Sequence, residues 1–308
     1  MILFPLNLSE EEKLNAPVSP FRRGDYEISR HANREIFLRV HTPVHDAECF
    51  ILGTIAPPEE NLMHLLLLAH TLKKEGAKKV TALLPYLSYT RQDKQKNGEG
   101  IASELMGGLI ASAGIDSIVT IDIHSDAARN LFRVPLISIS SAELFAETLK
   151  KERLLDATLV APDERAVARC QAVASAAGIA RPVAYFKKER TSLGVEHFGP
   201  IGAIGESAVL IDDMLDTGGT LIGACKRLSA KGVKTISVMV THGLFTGERW
   251  KRLWEFGVRR IYCTDSIRTK PTDARIVSLP VFSLLTSGIG LPSKQASDSL
   301  DNMIYYNA

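Results

Sequence analysis

The chain has 308 residues, 45% of them hydrophobic and 23% charged, a composition that supports a folded protein with a sizeable core and excludes a disordered or fibrous one. Its 37 basic and 35 acidic residues are interspersed, so no basic stripe marks a nucleic-acid surface and any anion site must be local. The first residues lack the basic-then-apolar pattern of a secretory signal, and apolar runs such as Leu65 to Ala69 are far too short to span a bilayer, so a cytoplasmic protein is expected.

Strand-like and helix-like runs alternate almost from end to end, the pattern of parallel sheets covered by helices. The alternating segment EIFLRV and the buried run CFILGTI predict strands, followed by a helix over 59–75 that stops at Gly76. KVTALLPY predicts a strand and residues 87–100 a polar loop. IASELMGGLIASA predicts a helix ended at Gly114, and SIVTIDI another strand. Ser140 and Glu143 have the spacing of a capping box for the helix SAELFAETLKK. TLVAPD then predicts a strand, RAVARCQAVASAA a helix stopped at Gly178, and PVAYF and AVLIDD further strands. A helix over 219–231, the strand TISVMVTH, a helix near 247–256 and the strand RRIYCTD complete the series. No low-complexity linker separates the halves, and the pattern places a boundary near residue 145, giving domains 1–145 and 146–308. Cys49, Cys170, Cys225 and Cys263 are widely spaced, form no C-x-x-C pair and lie in apolar contexts, which predicts buried thiols rather than metal ligands or disulfides.

In open α/β sheets ligands bind beyond the carboxyl ends of the strands. Two strands here run into loops rich in chemistry, TIDIHSD and LIDDMLDTGGT. In the second, apolar Val209 to Ile211 lead to Asp212, Asp213 and Asp216, then to Thr217, Gly218, Gly219 and Thr220 before a helix. Backbone N–H groups at a helix N-terminus, with glycines for close approach and threonine hydroxyls as extra donors, form an anion cradle. Three carboxylates would repel that anion unless they faced something else. Asp212 and Asp213, expected at the strand end, suit the vicinal hydroxyls of a sugar, bound directly or through a divalent cation. The stretch is therefore shaped for a phosphorylated pentose.

The run VLIDDMLDTGGTL closely resembles the phosphoribosyl-binding loop shared by type I phosphoribosyltransferases and ribose-phosphate diphosphokinases. The segment PYLSYTRQDKQ, residues 85–95, resembles the diphosphokinases alone, and that resemblance implies that Arg91 and Gln92 bind nucleotide. A guanidinium beside a polyphosphate supplies the bidentate, charge-assisted bonds such a site needs. Asp122 and His124 are two apart at a strand end and can point to the same side. By the same resemblance His124 contacts ATP and a magnesium ion, and Asp163 in the APDE segment completes the metal site. Because Mg2+ prefers oxygen ligands, His124 is expected as an auxiliary contact. Residues 187–194 read as a mobile surface loop, in which Lys188 and Arg190 match the family's lysine-x-arginine pair. Cations closing over a transferring phosphoryl group neutralise transition-state charge, so this loop is expected to be a catalytic lid.

The resemblance spans residues 30–285 and has two departures. HANRE stands where the family has a phenylalanine-x-aspartate-glycine-glutamate run that helps hold adenine, often from a neighbouring subunit. Glu35 is kept, while His31, Asn33 and Arg34 replace the aromatic, the aspartate and the glycine. The His31 ring can still stack on a base, and Asn33 and Glu35 are taken as ATP contacts. The loop KQKNGEGIAS differs from the segment that contributes to the family's regulatory phosphate and ADP site, so that regulation is not carried over.

The expectation is two type I phosphoribosyltransferase-like α/β domains, each a mainly parallel sheet flanked by helices. The first would be the nucleotide side and the second would carry the ribose 5-phosphate loop and the lid. The reaction expected is transfer of the diphosphoryl group of ATP to the 1-hydroxyl of ribose 5-phosphate with Mg2+, giving phosphoribosyl diphosphate and AMP. The family also implies a homo-oligomer, built from dimers that commonly assemble into hexamers. Two other readings share the glycine loop. A base-using phosphoribosyltransferase leaves the RQD and DIH segments without a purpose, and a non-catalytic regulatory subunit should carry a damaged lid or metal site.

Overall fold

The structure is a computed structural model that describes residues 1–7, 20–191, 194–267 and 272–291, with residues 188–191 and 194–197 described by their backbone alone. The chain divides into two compact units, one of residues 1–139 together with the segment from Val281 onward, the other of residues 140–280.

The first unit contains, in order, β1 (Ile2–Pro5), β2 (Arg22–Arg23), β3 (Tyr26–Arg30), β4 (Ile36–Val40), β5 (Glu48–Leu52), α1 (Glu60–Lys74), β6 (Lys79–Leu83), α2 (Ala102–Ser112), β7 (Ser117–Ile121), α3 (Asp126–Arg129) and β8 (Leu136–Ile139). Six of these strands form a parallel sheet ordered β2-β1-β5-β6-β7-β8, while β3 and β4 make a separate antiparallel hairpin. Strand β1 was not anticipated. All four of its residues are buried, and it lies beside β5 with Ile2 opposite Cys49. A strand covered on both faces shows no alternation, so apolarity is its only mark in sequence. Leu65, Leu68 and Leu72 recur at helical spacing on α1 and pack with Ile51, Val80 and Ile118 of the sheet.

The second unit contains α4 (Ala142–Lys151), β9 (Thr158–Ala161), a 3-10 turn (Glu164–Ala166) that runs into α5 (Val167–Ala177), β10 (Ala184–Thr191), β11 (Gly194–Ile201), β12 (Ser207–Leu215), α6 (Gly219–Ala230), β13 (Thr235–Gly243), a 3-10 segment (Arg249–Phe256), β14 (Val258–Thr264) and β15 (Ile276–Leu279). After it α7 (Phe282–Ser287) belongs to the first unit. The seven strands are ordered β11-β10-β9-β12-β13-β14-β15 and are parallel except for the β10–β11 pair. β12 is central, and its alternate side chains feed two cores. Ala208 and Leu210 pack with Leu221, Cys225 and Leu228 of α6 and with Trp250, whereas Val209 and Ile211 pack with Phe145 of α4 and Cys170 and Val173 of α5. A strand buried on both sides has to read as a continuous apolar run, which is why AVLI is legible as one.

Four expectations differ from what is observed. The units divide between Ile139 and Ser140, so residue 145 falls inside α4. The capping box is not formed. Ser141 is the N-cap, with its hydroxyl 3.1 Å from that of Thr241, while Ser140 Oγ accepts the Ala142 N–H at 3.2 Å. The described residues within 187–194 are not an open loop, because β10 extends to Thr191 and pairs with β11, Lys188 opposite His197 and Arg190 opposite Val195. Residues 249–256 form a 3-10 segment where an α-helix was expected. All four cysteines are free and buried, and among the described residues no helix is long and apolar enough to cross a membrane.

Candidate active site

In the second unit the strand runs on past the carboxylates expected at its end. Strand β12 continues through Leu215, so Asp212 and Asp213 lie within the strand and Asp216 begins the turn. Asp212 stays in register with Val240 of β13, and Met214 with His242. Asp213 is buried, at 8% exposure. Asp212 keeps some exposed surface, yet its carboxylate is enclosed by protein. Burial pushes its pKa well above the ordinary carboxylate range, and the negative charges of Asp213 and Asp163 push it further. The Asp213 N–H, which donates to Asp212 Oδ1 at 2.9 Å, and the Arg169 guanidinium oppose that shift without cancelling it.

The field of Asp163 at Asp212 joins two sequence segments 49 positions apart, and the sheet explains it. β9 and β12 are neighbours, with Leu210 opposite Val160, so the loop after β9 and the end of β12 emerge side by side. Asp163 caps the 3-10 turn with Oδ1, accepting from the N–H groups of Arg165 at 3.0 Å and Ala166 at 3.3 Å.

The residues after β12 form the turn expected. Gly218 is left-handed at φ +83° and serves as N-cap of α6, whose first intrahelical bond runs from the Ile222 N–H to the Gly218 carbonyl at 2.8 Å. Its N-cap, a glycine, supplies no side-chain cap, and no acidic residue occupies its first turn. The N-terminal dipole of α6 therefore points at the turn Asp216–Thr220, in which Thr217 is exposed and Gly219 and Thr220 are partly so. Trp250 forms the wall behind this turn and was not anticipated. Its tryptophan type in the RWKRLW run was a signal only of burial.

In the first unit the nucleotide candidates come from the carboxyl ends of the adjacent parallel strands β6 and β7. Arg91 and Gln92 are exposed on the loop after β6, and His124 is half-buried after β7. One hydrogen bond links the two loops, because Ser125 Oγ, which caps α3 by accepting the Ala128 N–H at 3.0 Å, donates to Asp93 Oδ2. Ser103 of α2 holds the first loop from below. Its hydroxyl donates to the carbonyls of Tyr89 at 3.0 Å and Gln92 at 3.2 Å. Tyr89 at φ +67° and Asp122 at φ +38° are non-glycine residues in left-handed backbone, each two positions before a candidate ligand. Strain of that kind persists only where surrounding structure holds it, and it gathers at functional loops.

Asn33 and Glu35 lie at the exposed tip of the β3–β4 hairpin. Asn33 Oδ1 accepts the Glu35 N–H at 3.1 Å, so it shapes the turn itself, and Arg34 adopts φ +71°. The His31 ring packs edge-on against Phe37 with centroids 5.5 Å apart, and Arg30 ties the hairpin to α1 through Glu60. The side chains of Lys188 and Arg190 lie outside the described residues. Among the described residues no group of three or more histidine, cysteine, aspartate or glutamate side chains is gathered so as to hold a metal ion by itself.

Two family models match the chain. The N-terminal domain of ribose phosphate pyrophosphokinase covers residues 11–114, and the phosphoribosyl transferase domain covers residues 128–271. The chain is 33% identical over 282 residues to a ribose-phosphate pyrophosphokinase of Bradyrhizobium diazoefficiens, covering 88% of each chain. It is 34% identical over 246 residues to one of Mycoplasma pneumoniae, covering 78% of this chain and 73% of that one. Its fold is similar to the crystal structure of phosphoribosylpyrophosphate synthetase from Mycobacterium smegmatis, with a TM-score of 0.81, 27% identity and coverage of 98% and 99%.

Proposed function

This chain belongs to the ribose-phosphate pyrophosphokinase family, and on that premise we propose the division of labour among its residues as it makes phosphoribosyl diphosphate from ribose 5-phosphate. It is an enzyme whose two units take different substrates. The turn Asp216–Thr220 receives the 5-phosphate on the α6 N-terminus, and Asp212 and Asp213 accept hydrogen bonds from the ribose hydroxyls. Arg91 and Gln92 bind the ATP phosphates, His124 contacts the nucleotide beside them, and Asn33 and Glu35 reach the adenine side from the hairpin tip.

The 1-hydroxyl of the sugar attacks the β-phosphorus of ATP in line. A bond forms between that oxygen and Pβ as the bond from Pβ to the bridging oxygen breaks. AMP departs with the electron pair, and the hydroxyl proton is lost to solvent. Lys188 and Arg190 neutralise the charge that spreads over the equatorial oxygens, and no covalent enzyme intermediate is required.

The residues present fit a hard divalent cation that arrives with its substrates. Burial raises the Asp212 pKa and the negative charges of Asp213 and Asp163 raise it further, so a cation there would be favoured, and oxygen is the donor Mg2+ prefers. Asp163, on the loop that emerges beside the end of β12, would hold it. Bound Mg2+ supplies charge neutralisation along the phosphate chain. A site that relies on substrate phosphates and water for most ligands needs no closed protein cage, in keeping with the absence of one among the described residues. We further propose that the enzyme works in the cytoplasm as a homo-oligomer built from dimers.

The observation that carries this reading is the presence in one chain of both devices, the acid-and-glycine turn on α6 and the Ser125–Asp93 bridge between the RQD and DIH loops. A base-using phosphoribosyltransferase needs only the first. The test is AMP release from ATP and Mg2+ with and without ribose 5-phosphate, with the sugar product identified by mass. Release that depends on ribose 5-phosphate and yields phosphoribosyl diphosphate supports the reading. Absence of release with every nucleoside triphosphate tried would sink it and favour a regulatory subunit.

A further inference from the structure

We propose that Arg249 is an additional ligand for the 5-phosphate of ribose 5-phosphate, an inference that rests on the reading of Asp216–Thr220 as the sugar-phosphate turn. In the run RWKRLWEF it looks like one of three equivalent surface cations. The structure separates them. Lys251 pairs with Glu248 and lies 5.9 Å from the centroid of the Trp250 ring. Arg252 reaches Glu255 at 3.3 Å and lies over the Phe256 ring. Arg249 instead turns its guanidinium onto α6. A Cβ built at Gly219 would lie 3.9 Å from Nη1 and 4.0 Å from both Nη2 and the guanidinium carbon.

The whole planar head thus faces the first residue of the helix that the sugar phosphate is proposed to cap. Its backbone is anchored to the same turn, since the next residue, Trp250, is 2% exposed and packs its Cα against Gly218. Two positive poles, a permanently charged guanidinium and the amino end of α6, therefore meet at a helix whose N-cap is a glycine and whose first turn holds no acidic residue. A dianionic phosphate monoester satisfies both, accepting backbone N–H groups on one side and a forked pair from the guanidinium on the other. The absence of a side chain at Gly219 keeps the space between them open. Inorganic phosphate carries the same chemistry, so the sugar phosphate and the free ion are distinguished by experiment.

The test compares wild type, Arg249→Ala, Arg249→Lys and the control Arg252→Ala in turnover and in calorimetric titration with ribose 5-phosphate, using inorganic phosphate as competitor. Arg249→Ala should raise KM and Kd for ribose 5-phosphate roughly 10- to 100-fold, the loss expected for a charge-assisted pair. Its kcat should change by less than about twofold, as when binding common to ground and transition states is removed. KM for ATP and the melting temperature should stay at wild-type values, Arg249→Lys should recover part of the affinity, and Arg252→Ala should match wild type. Competition by inorganic phosphate should weaken in Arg249→Ala along with sugar phosphate binding. Wild-type affinity for ribose 5-phosphate in Arg249→Ala would overturn the inference. So would an equal loss toward ATP, which marks a structural role, or a loss confined to inorganic phosphate. A wild-type protein that binds no ribose 5-phosphate would overturn the parent reading and this inference with it.

Discussion

Gly218 and Trp250 are packed so closely that the glycine has no room for a side chain: a Cβ at Gly218 would lie 2.9 Å from the Cα of Trp250 and 3.1 Å from its Cβ. Two demands meet at this residue, a left-handed φ of +83° and contact with a neighbouring backbone that cannot swing aside. Trp250 is thereby the wall that sets how far the turn before α6 can move.

Gly218→Ala should therefore damage ribose 5-phosphate binding more than stability. The left-handed backbone alone costs about 1–2 kcal/mol with a Cβ, and the contact with Trp250 displaces the turn. We expect ribose 5-phosphate affinity to fall at least roughly tenfold, given how steeply catalysis depends on sub-ångström placement, with a folded protein by circular dichroism. Trp250→Ala should cost about 3–5 kcal/mol in stability, because it empties a fully packed site. Wild-type affinity in Gly218→Ala would show that the turn does not hold the phosphate.

Asp212→Asn should stabilise the ligand-free protein while abolishing turnover. The raised native pKa of Asp212 means that the folded state holds a proton which the unfolded chain releases. Its contribution to stability is thus fully present below the ordinary carboxylate value and is lost as pH rises from there through the raised native value. The melting temperature of Asp212→Asn should exceed that of wild type at neutral pH, and the two should converge near about pH 4. A gain of equal size at both pH values would assign the effect to something other than ionisation.

Ser125→Ala and Asp93→Asn should each raise KM for ATP and leave ribose 5-phosphate affinity unchanged. Because the two side chains share one hydrogen bond, the double variant should lose less than the sum of the singles, with a coupling of roughly 0.5–3 kcal/mol. Strict additivity would mean that the bridge does not position the nucleotide loops.

Lys188→Ala should lower kcat by roughly 10³-fold or more, the scale seen for cations that act only on a phosphoryl-transfer transition state. Binding of ribose 5-phosphate should remain close to wild type. Activity that survived the change would remove Lys188 from the catalytic lid.

The layout of strands and helices was legible because most elements are buried on a fixed period. AVLI before Asp212, the leucines of α1 and the glycines at 76 and 178 each state their role within a few residues. The stretch Asp212–Thr220 was legible for the same reason, since strand, acids, glycines and helix are contiguous. Two misreadings have separate physical origins. Strand β1 is too short and too uniformly buried to alternate. The β10–β11 hairpin looked like a loop because it extends from the edge of its sheet, where charged residues are tolerated and discourage pairing with other chains.

What the sequence by itself determined is the chemistry available, namely which acids, cations and glycines exist and which of them are neighbours along the chain. What only the tertiary structure decided is which distant residues share an environment. Strand order sets Asp163 beside Asp212, because β9 and β12 are neighbours in the sheet although β10 and β11 separate them in sequence. The packing of the 3-10 segment on α6 brings Trp250 to Gly218 and Arg249 to Gly219, and a hydroxyl joins Ser125 to Asp93 across 32 positions. Local periodicity reports only whether a residue is covered. What covers it is chosen by the lowest-energy packing of whole elements, and no short window of sequence contains that choice.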